Sequence, residues 1–206
     1  MWAYVKDNKI QEIIPIPKNI VIDDVKHPAK IFTAWSWSEL NSIGIYTVES
    51  ATEGDSRFEI TSSPTYTFNS SGNKVTTANT KTDRPLADAN AVDEDGNNIT
   101  DVDGNQVINY GLKTEKKRIV KEQASGLLAP TDWYVVKASE VADYSVPSNI
   151  TTFRANVRTK SNEMETAIDN ASDVDALKTL YEYTNTGTEA DPVFTRPLGE
   201  FPTLEN

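Results

Sequence analysis

Leu127-Leu128-Ala129-Pro130-Thr131-Asp132-Trp133, then Tyr134-Val135-Val136, and past Pro147 the pairs Phe153-Arg154 and Val157-Arg158: within Lys121 to Arg158, hydrophobic mass, turn chemistry and paired charge coincide. Before this stretch the chain reads as β, and after it as helix, which sets the fold class as α+β. Thr131, directly after Pro130, has the position and hydroxyl of an N-cap, and Trp133 is large enough to anchor whatever packs over it. Val146-Pro147-Ser148-Asn149 breaks the chain and starts a helix. Ile150, Phe153, Val157, Met164, Ala167 and Ile168 recur along it at helical spacing, while Arg154 and Arg158 lie four apart on one side. Asp132 is the expected partner of one of these guanidiniums. A structural clamp is the reading, because no nucleophile lies close by in the sequence.

Towards the C-terminus, Ser172 and Asp175 have a capping spacing that restarts a helix through Leu177, Leu180 and Tyr181. The short joint predicts that these last two helices form an antiparallel hairpin, within a helical module over 113–186. After Gly187, prolines at 192, 197 and 202 with Phe194, Leu198 and Phe201 between them predict an extended tail, 187–206, laid on a surface.

Towards the N-terminus, Lys116, Lys117, Arg118 and Lys121 gather near Glu115 and Glu122 and read as a solvated helix face leading to Gly126. A second reading has this basic cluster touching an acidic segment of a neighbouring copy. That segment, an insert over 81–112, holds the imperfect repeat Asp93-Glu94-Asp95-Gly96-Asn97 and Asp101-Val102-Asp103-Gly104-Asn105. Two polar hairpin turns are the favoured reading. A calcium site on Asp93, Asp95, Asp101 and Asp103 is the alternative, although the EF-hand register fails: Ala91 and Val102 would occupy loop positions one and twelve, and Ile99 and Tyr110 in the second copy.

Residues 1–80 predict a small antiparallel β-rich module with one short helix. Trp2–Val5 and Ile10–Ile14 flank a polar turn at Asp7-Asn8-Lys9, and Pro15 and Pro17 end the second arm. Asn19–Ile22 is a further strand closed by Asp23-Asp24. Ser36 and Glu39 fit a capping box for a helix that Gly44 stops, before Ile45, Tyr46 and Val48 resume a β-like run. Tyr66–Phe68 and Val75 flank another turn at Ser71–Lys74. Trp35 and Trp37 read as the core plug of this module, with a ligand platform as the alternative.

Composition narrows the function. The 206 residues carry a formal net charge of -11, which argues against nucleic-acid binding because neutralising phosphates needs a basic face. Cysteine is absent, which removes disulfides and thiolate chemistry and suits a reducing compartment. No apolar run approaches a membrane span, and Met1-Trp2-Ala3-Tyr4-Val5 shows no secretory signal. His27 is the only histidine, and no serine elbow, phosphate loop or histidine metal motif occurs. No enzyme, cofactor or resident metal is therefore expected.

The run Leu127 to Trp133, the Pro147 turn, Phe153-Arg154 and Val157-Arg158 together resemble the C-terminal module of tail-fibre-associated and tail-fibre-assembly proteins of tailed phages. Leu40, Ile43-Gly44-Ile45 and Asp55-Ser56-Arg57-Phe58 are similar to the N-terminal half of small phage tail proteins. The resemblance covers roughly residues 31–68 and 113–160. It implies a structural component of a virion, in the tail, baseplate or fibre-attachment region, present in several copies and binding other virion proteins. A tail-fibre assembly chaperone that leaves the particle is the first alternative, and a carbohydrate-binding module stacking sugars on Trp35 and Trp37 is the second. The family transfers no catalytic residue, so Asp132, Trp133, Arg154 and Arg158 match it structurally only. The acidic insert and the long C-terminus depart from its pattern.

Overall fold

The computed structural model describes residues 1–204 of the chain, so the last two residues of the expected tail lie outside the described residues. The chain divides into two compact units, Met1–Thr82 and Asp83–Asn206.

The first unit is organised by alternation in its first strands. β1 (Trp2–Lys6) and β2 (Lys9–Ile14) form a hairpin whose two-residue turn, Asp7-Asn8, has both residues at positive φ (52° and 60°). That is the turn whose twist matches paired strands, and Asp and Asn tolerate it better than other non-glycine residues. Tyr4 faces Glu12 while Val5 faces Ile10, so Gln11 is an extra residue in β2. The bulge explains how Ile10 and Ile13, three residues apart, reach the same side of the sheet as Ala3 and Val5.

β3 (Ile20–Ile22) and β4 (Val25–His27) make a second hairpin over Asp23-Asp24, again both at positive φ. Two short helices follow, α1 (Ile31–Ala34) and α2 (Trp37–Ser42). Ser36 caps α2 in a full capping box: its hydroxyl accepts from the Glu39 amide, and the Glu39 carboxylate accepts from the Ser36 amide at 2.7 Å. These hydrogen bonds hold the Glu39 carboxyl below its usual pKa.

β5 (Ile45–Glu49), β6 (Glu59–Thr61), β7 (Thr65–Asn69), β8 (Lys74–Ala78) and β9 (Lys81–Asp83) complete the strands of this region. The main sheet has the order β2-β1-β5-β8-β7. Its edges β2 and β7 curl to within 8 Å of each other, which makes a half-barrel. The expectation of a purely antiparallel module is corrected here, because β5 and β8 run parallel with Thr47 opposite Lys74. Twenty-four residues separate these strands, and the intervening β6 and β7 supply the crossover that parallel pairing needs.

Strand alternation gives the sheet two cores. Ala3, Val5 and Val75 lie inside the half-barrel with Tyr46, Val48, Tyr66 and Phe68, and the Tyr46 and Phe68 rings pack at 4.6 Å. Ile14, Ile20, Ile22 and Ile45 lie on the other face, covered by Ile31, Phe32 and Leu40 from the short helices. Trp2 is the tryptophan that packs there, 5.0 Å from the Phe32 ring.

The second unit opens with the insert. β10 (Ala89–Asn90) pairs antiparallel with β11 (Ile108–Asn109), and single bridges join Val92 to Asn98 and Thr100 to Gln106. The eight-residue period places Ala91, Ile99 and Val107 in a cyclic hydrogen-bonded triangle. Ile99 N donates to Ala91 O at 2.9 Å, Val107 N to Ile99 O at 2.9 Å and Ala91 N to Val107 O at 2.8 Å. Nε2 of Gln106 lies within 3.1 Å of all three of these carbonyl oxygens and closes the ring with a side-chain donor.

Three helices longer than a turn or two dominate the rest: α3 (Leu112–Leu128), α4 (Asp132–Glu140) and α5 (Ser148–Asn170), followed by the short α6 (Val174–Thr179). α3 and α5 are the antiparallel pair, since Lys117 meets Asp169 near one end while Leu128 meets Arg154 near the other. This corrects the expected hairpin of the last two helices, because α6 has six residues and α5 docks on the helix preceding the Pro130 break. α6 is capped by Asp173, whose carboxylate accepts from the Ala176 amide, and not by Ser172, whose hydroxyl instead donates to Asp173.

The C-terminal region also differs from expectation. Thr184–Asn185 (β12) pairs with Phe194–Thr195 (β13), and Asn185 Oδ1 binds the amides of Gly187 and Val193 across the loop. Residues 187–195 are therefore one side of a hairpin and not an extended tail. Beyond it Leu198 is buried, its amide donating to Leu180 O, and Phe201 packs against Ala124, Phe153 and Val157. The apolar residues between the prolines are what draw this segment onto the helices.

Candidate functional site: a displayed helix on an arginine clamp

The residues singled out in the sequence fall into two places. In the second unit, α3 ends at Leu128 and a 3-10 turn, Ala129–Thr131, carries Pro130 in its first positions, where a missing amide hydrogen costs nothing. α4 begins at once with Asp132. Thr131 occupies the N-cap position, but its hydroxyl donates back to Leu128 O at 2.7 Å and caps nothing, which corrects its expected role. Thr131 is buried in that posture.

Arg154 reaches this joint from α5. Its Nη1 donates to Leu128 O at 3.1 Å and to Thr131 Oγ1 at 2.5 Å, and lies 2.8 Å from Asp132 Oδ1. One guanidinium thus satisfies a terminal carbonyl of α3, where positive charge is favoured, and the first-turn carboxylate of α4, where negative charge is favoured. The side chain is only 11% exposed, so its planar donors work in a low-dielectric setting. Arg158 does not share the task; its Nη1 donates to Arg154 O.

What the clamp holds is unusual. None of α4's residues is buried: Trp133, Val135, Val136 and, just past the helix, Val141 are all about half exposed. The expected burial of Trp133 is corrected, at 51% exposure. The reason is spacing, since Trp133, Tyr134, Val135 and Val136 are consecutive and point round the whole helix, so no single face can be covered by α3 or α5. Trp133 stacks on Tyr134 at 3.9 Å, and the Lys137 ammonium sits 4.3 Å from the Tyr144 ring and 5.7 Å from the Trp133 ring.

In the first unit Trp35 and Trp37 are 36% and 57% exposed, so neither plugs a core. α2 has a single inward stripe, and Leu40 takes it. Trp35 meets the edge of His27 at 5.6 Å, which leaves an aromatic patch at the start of α2.

The insert's acidic residues have structural partners. Asp93 Oδ1 accepts from the amides of Asp95 and Asn97, and Asp101 Oδ1 accepts from those of Asp103 and Asn105. Gly96 and Gly104 complete the turns at φ 84° and 83°. These hydrogen bonds, from Asn97 and Asn105 above all, hold both aspartates below the usual carboxylate range. Among the described residues no group of three or more acidic or histidine side chains is gathered as a metal would require.

The basic helix face is also refined. Lys116 is buried on the stripe of Leu112, Val120 and Ala124, its ammonium 5.5 Å from the Tyr181 ring, so it is not part of the solvated face. Lys117 pairs with Asp169, Lys121 with Glu165 and Arg118 with Glu122.

Sequence reasoning missed the device that starts α3. Asp88 accepts from the Gly111 amide and from Thr114 Oγ1, while Leu112 N and Lys113 N donate to Pro85 O and Leu86 O. A Cβ on Gly111 would lie 2.4 Å from the Ala87 backbone, so only glycine fits. An aspartate twenty-three residues before the N-cap glycine it binds carries no local capping signature, and only the glycine hinted at it. No helix of the described residues is long and apolar enough to cross a membrane. Comparisons with protein-family models, with curated proteins and with solved structures each find no match for this chain.

Proposed function

We propose that this chain is a non-enzymatic structural component of a tailed-phage virion, in the tail, baseplate or fibre-attachment region, and that it works by binding other virion proteins. The observation that carries this reading is α4, a helix with no buried residue that is nevertheless fixed at its base by Arg154. An isolated helix of nine residues is marginal in water, and an apolar one held rigidly outward gains stability when a protein partner covers it. The clamp residues Thr131, Asp132 and Arg154 and the displayed Trp133 belong to the stretch whose order resembles phage tail-fibre-associated proteins.

Mass spectrometry of purified particles tests it: the chain is expected among the virion proteins, and its absence from particles that need it for assembly would instead favour the chaperone reading. The exposed Trp37 and the Trp35–His27 contact support a second reading as a carbohydrate-binding module. Glycan binding that is lost on Trp37→Ala is its test.

A further inference from the structure

Outside the displayed helix, the second unit holds an open groove of about 550 Å³ lined by Tyr110, Thr114, Glu115, Lys117, Arg118 and Lys121. Tyr110 is 70% exposed and forms an aromatic wall. The helix α3 that forms the floor gives the groove three cations, Lys117, Arg118 and Lys121, against one carboxylate, Glu115, in a chain whose net charge is -11. The turn-bearing part of the insert is the opposite: residues 88–111 hold Asp88, Asp93, Glu94, Asp95, Asp101 and Asp103 with no lysine or arginine.

We infer that this chain self-associates head to tail, the acidic turns of one copy's insert docking into the Tyr110–Lys121 groove of the next. Charge complementarity selects this occupant. The insert's repeat turns carry Glu94, Asp95 and Asp103 in the open, and Val102 at the second turn is fully exposed, an apolar tip beside an acidic rim. The groove offers the converse, an aromatic wall beside cations. Hydrogen bonds from backbone amides, those of Asn97 and Asn105 first, hold the Asp93 and Asp101 carboxyls below the usual carboxylate range.

Within one copy the groove cations pair elsewhere, with Asp169, Glu122 and Glu165. Arg118 and Lys121 remain about two-thirds exposed in those pairs, which are of the exchangeable surface kind. Donor and acceptor surfaces differ, so the contact is heterologous and propagates as a ring or an open chain. This inference concerns self-association alone and does not depend on the virion reading.

Sedimentation velocity on the full chain tests it with two variants, the first giving up only the exposed Arg118–Glu122 and Lys121–Glu165 pairs and the second sparing the turn hydrogen bonds of Asp93 and Asp101. Arg118→Glu with Lys121→Glu reverses the groove, and Glu94→Lys with Asp103→Lys reverses the tip. The wild-type chain is expected to associate in about 25 mM salt and to weaken at least about tenfold in about 500 mM salt. Each variant alone is expected to be monomeric. Their mixture pairs the intact tip with the intact groove and the lysine tip with the glutamate groove, so it is expected to restore association with the two variants alternating. A wild-type chain that is monomeric in low salt, variants that associate as the wild type does, or a mixture that stays monomeric would each overturn the inference. So would a groove reversal that abolishes binding of polyphosphate while leaving self-association unchanged.

Discussion

Helices α4 and α5 are neighbours in the chain and treat their apolar residues in opposite ways. α5 buries Ile150, Phe153, Val157, Met164 and Ile168 along one stripe, with Ser161 in the same line. α4 has an apolar run just as conspicuous and buries none of it. The difference teaches that spacing, not hydrophobicity, decides what a helix can bury. Steps of three and four aim side chains at one partner, whereas four in a row surround the axis.

The largest expected effect tests the buried stripe. Phe153→Ala should cost about 3–5 kcal/mol in chemical denaturation, since the ring is 6% exposed and packs with Ala124, Val157 and Phe201. A cost comparable to that of a surface substitution would erase the contrast. Next comes the clamp. Arg154→Ala should cost about 2 kcal/mol through loss of charge-assisted hydrogen bonds at a nearly buried site, and Arg154→Lys should restore little of it. Hydrogen exchange should quicken in α4 and at the end of α3 and stay unchanged in β1, β2 and β5.

Asp88→Ala should cost about 1 kcal/mol, the usual worth of a helix cap, and Asp88→Asn less. The capping carboxylate of Asp173 adds a pH dependence whose direction is fixed. Its hydrogen bond from the Ala176 amide holds its folded pKa below the unfolded value, so its contribution is present above the unfolded pKa and is lost as pH falls through the folded one. Asp173→Asn should flatten that part of the acid limb of a melting-temperature profile. The smallest effect belongs to the displayed helix, where Trp133→Ala should change stability by less than about 0.5 kcal/mol. A cost above about 2 kcal/mol would mean that the indole is a core residue, and α4 would then not differ from α5 at all.

Much of the fold was legible because it is local. The turns at Asp7-Asn8 and Asp23-Asp24, the capping box at Ser36 and Glu39, and the stripe of α5 each follow from residues no more than a few positions from the next, and each occurs in the structure. The parallel pairing of β5 with β8 and the docking of α5 on α3 were not, because both join segments far apart in sequence and carry no local mark. At the candidate site, the meeting of Asp132 with Arg154 could be proposed from charge and spacing. The exposure of Trp133, Trp35 and Trp37 could not, since size alone says nothing about whether a covering partner exists on the same chain. Lys116 misled for the converse reason: its charge suggests solvent, while its place in the i, i+4 series with Leu112, Val120 and Ala124 puts its stem in the core.

The ring that Gln106 closes has a consequence for how this part of the chain tolerates change. Ala89 and Asn109 are register partners, so the insert leaves and rejoins the unit at adjacent points, and its turns and triangle use donors and acceptors from within the segment. Such a segment behaves as a cassette. Its removal would leave a gap that a short turn can close, whereas adding or dropping a single eight-residue step would open the three-membered ring.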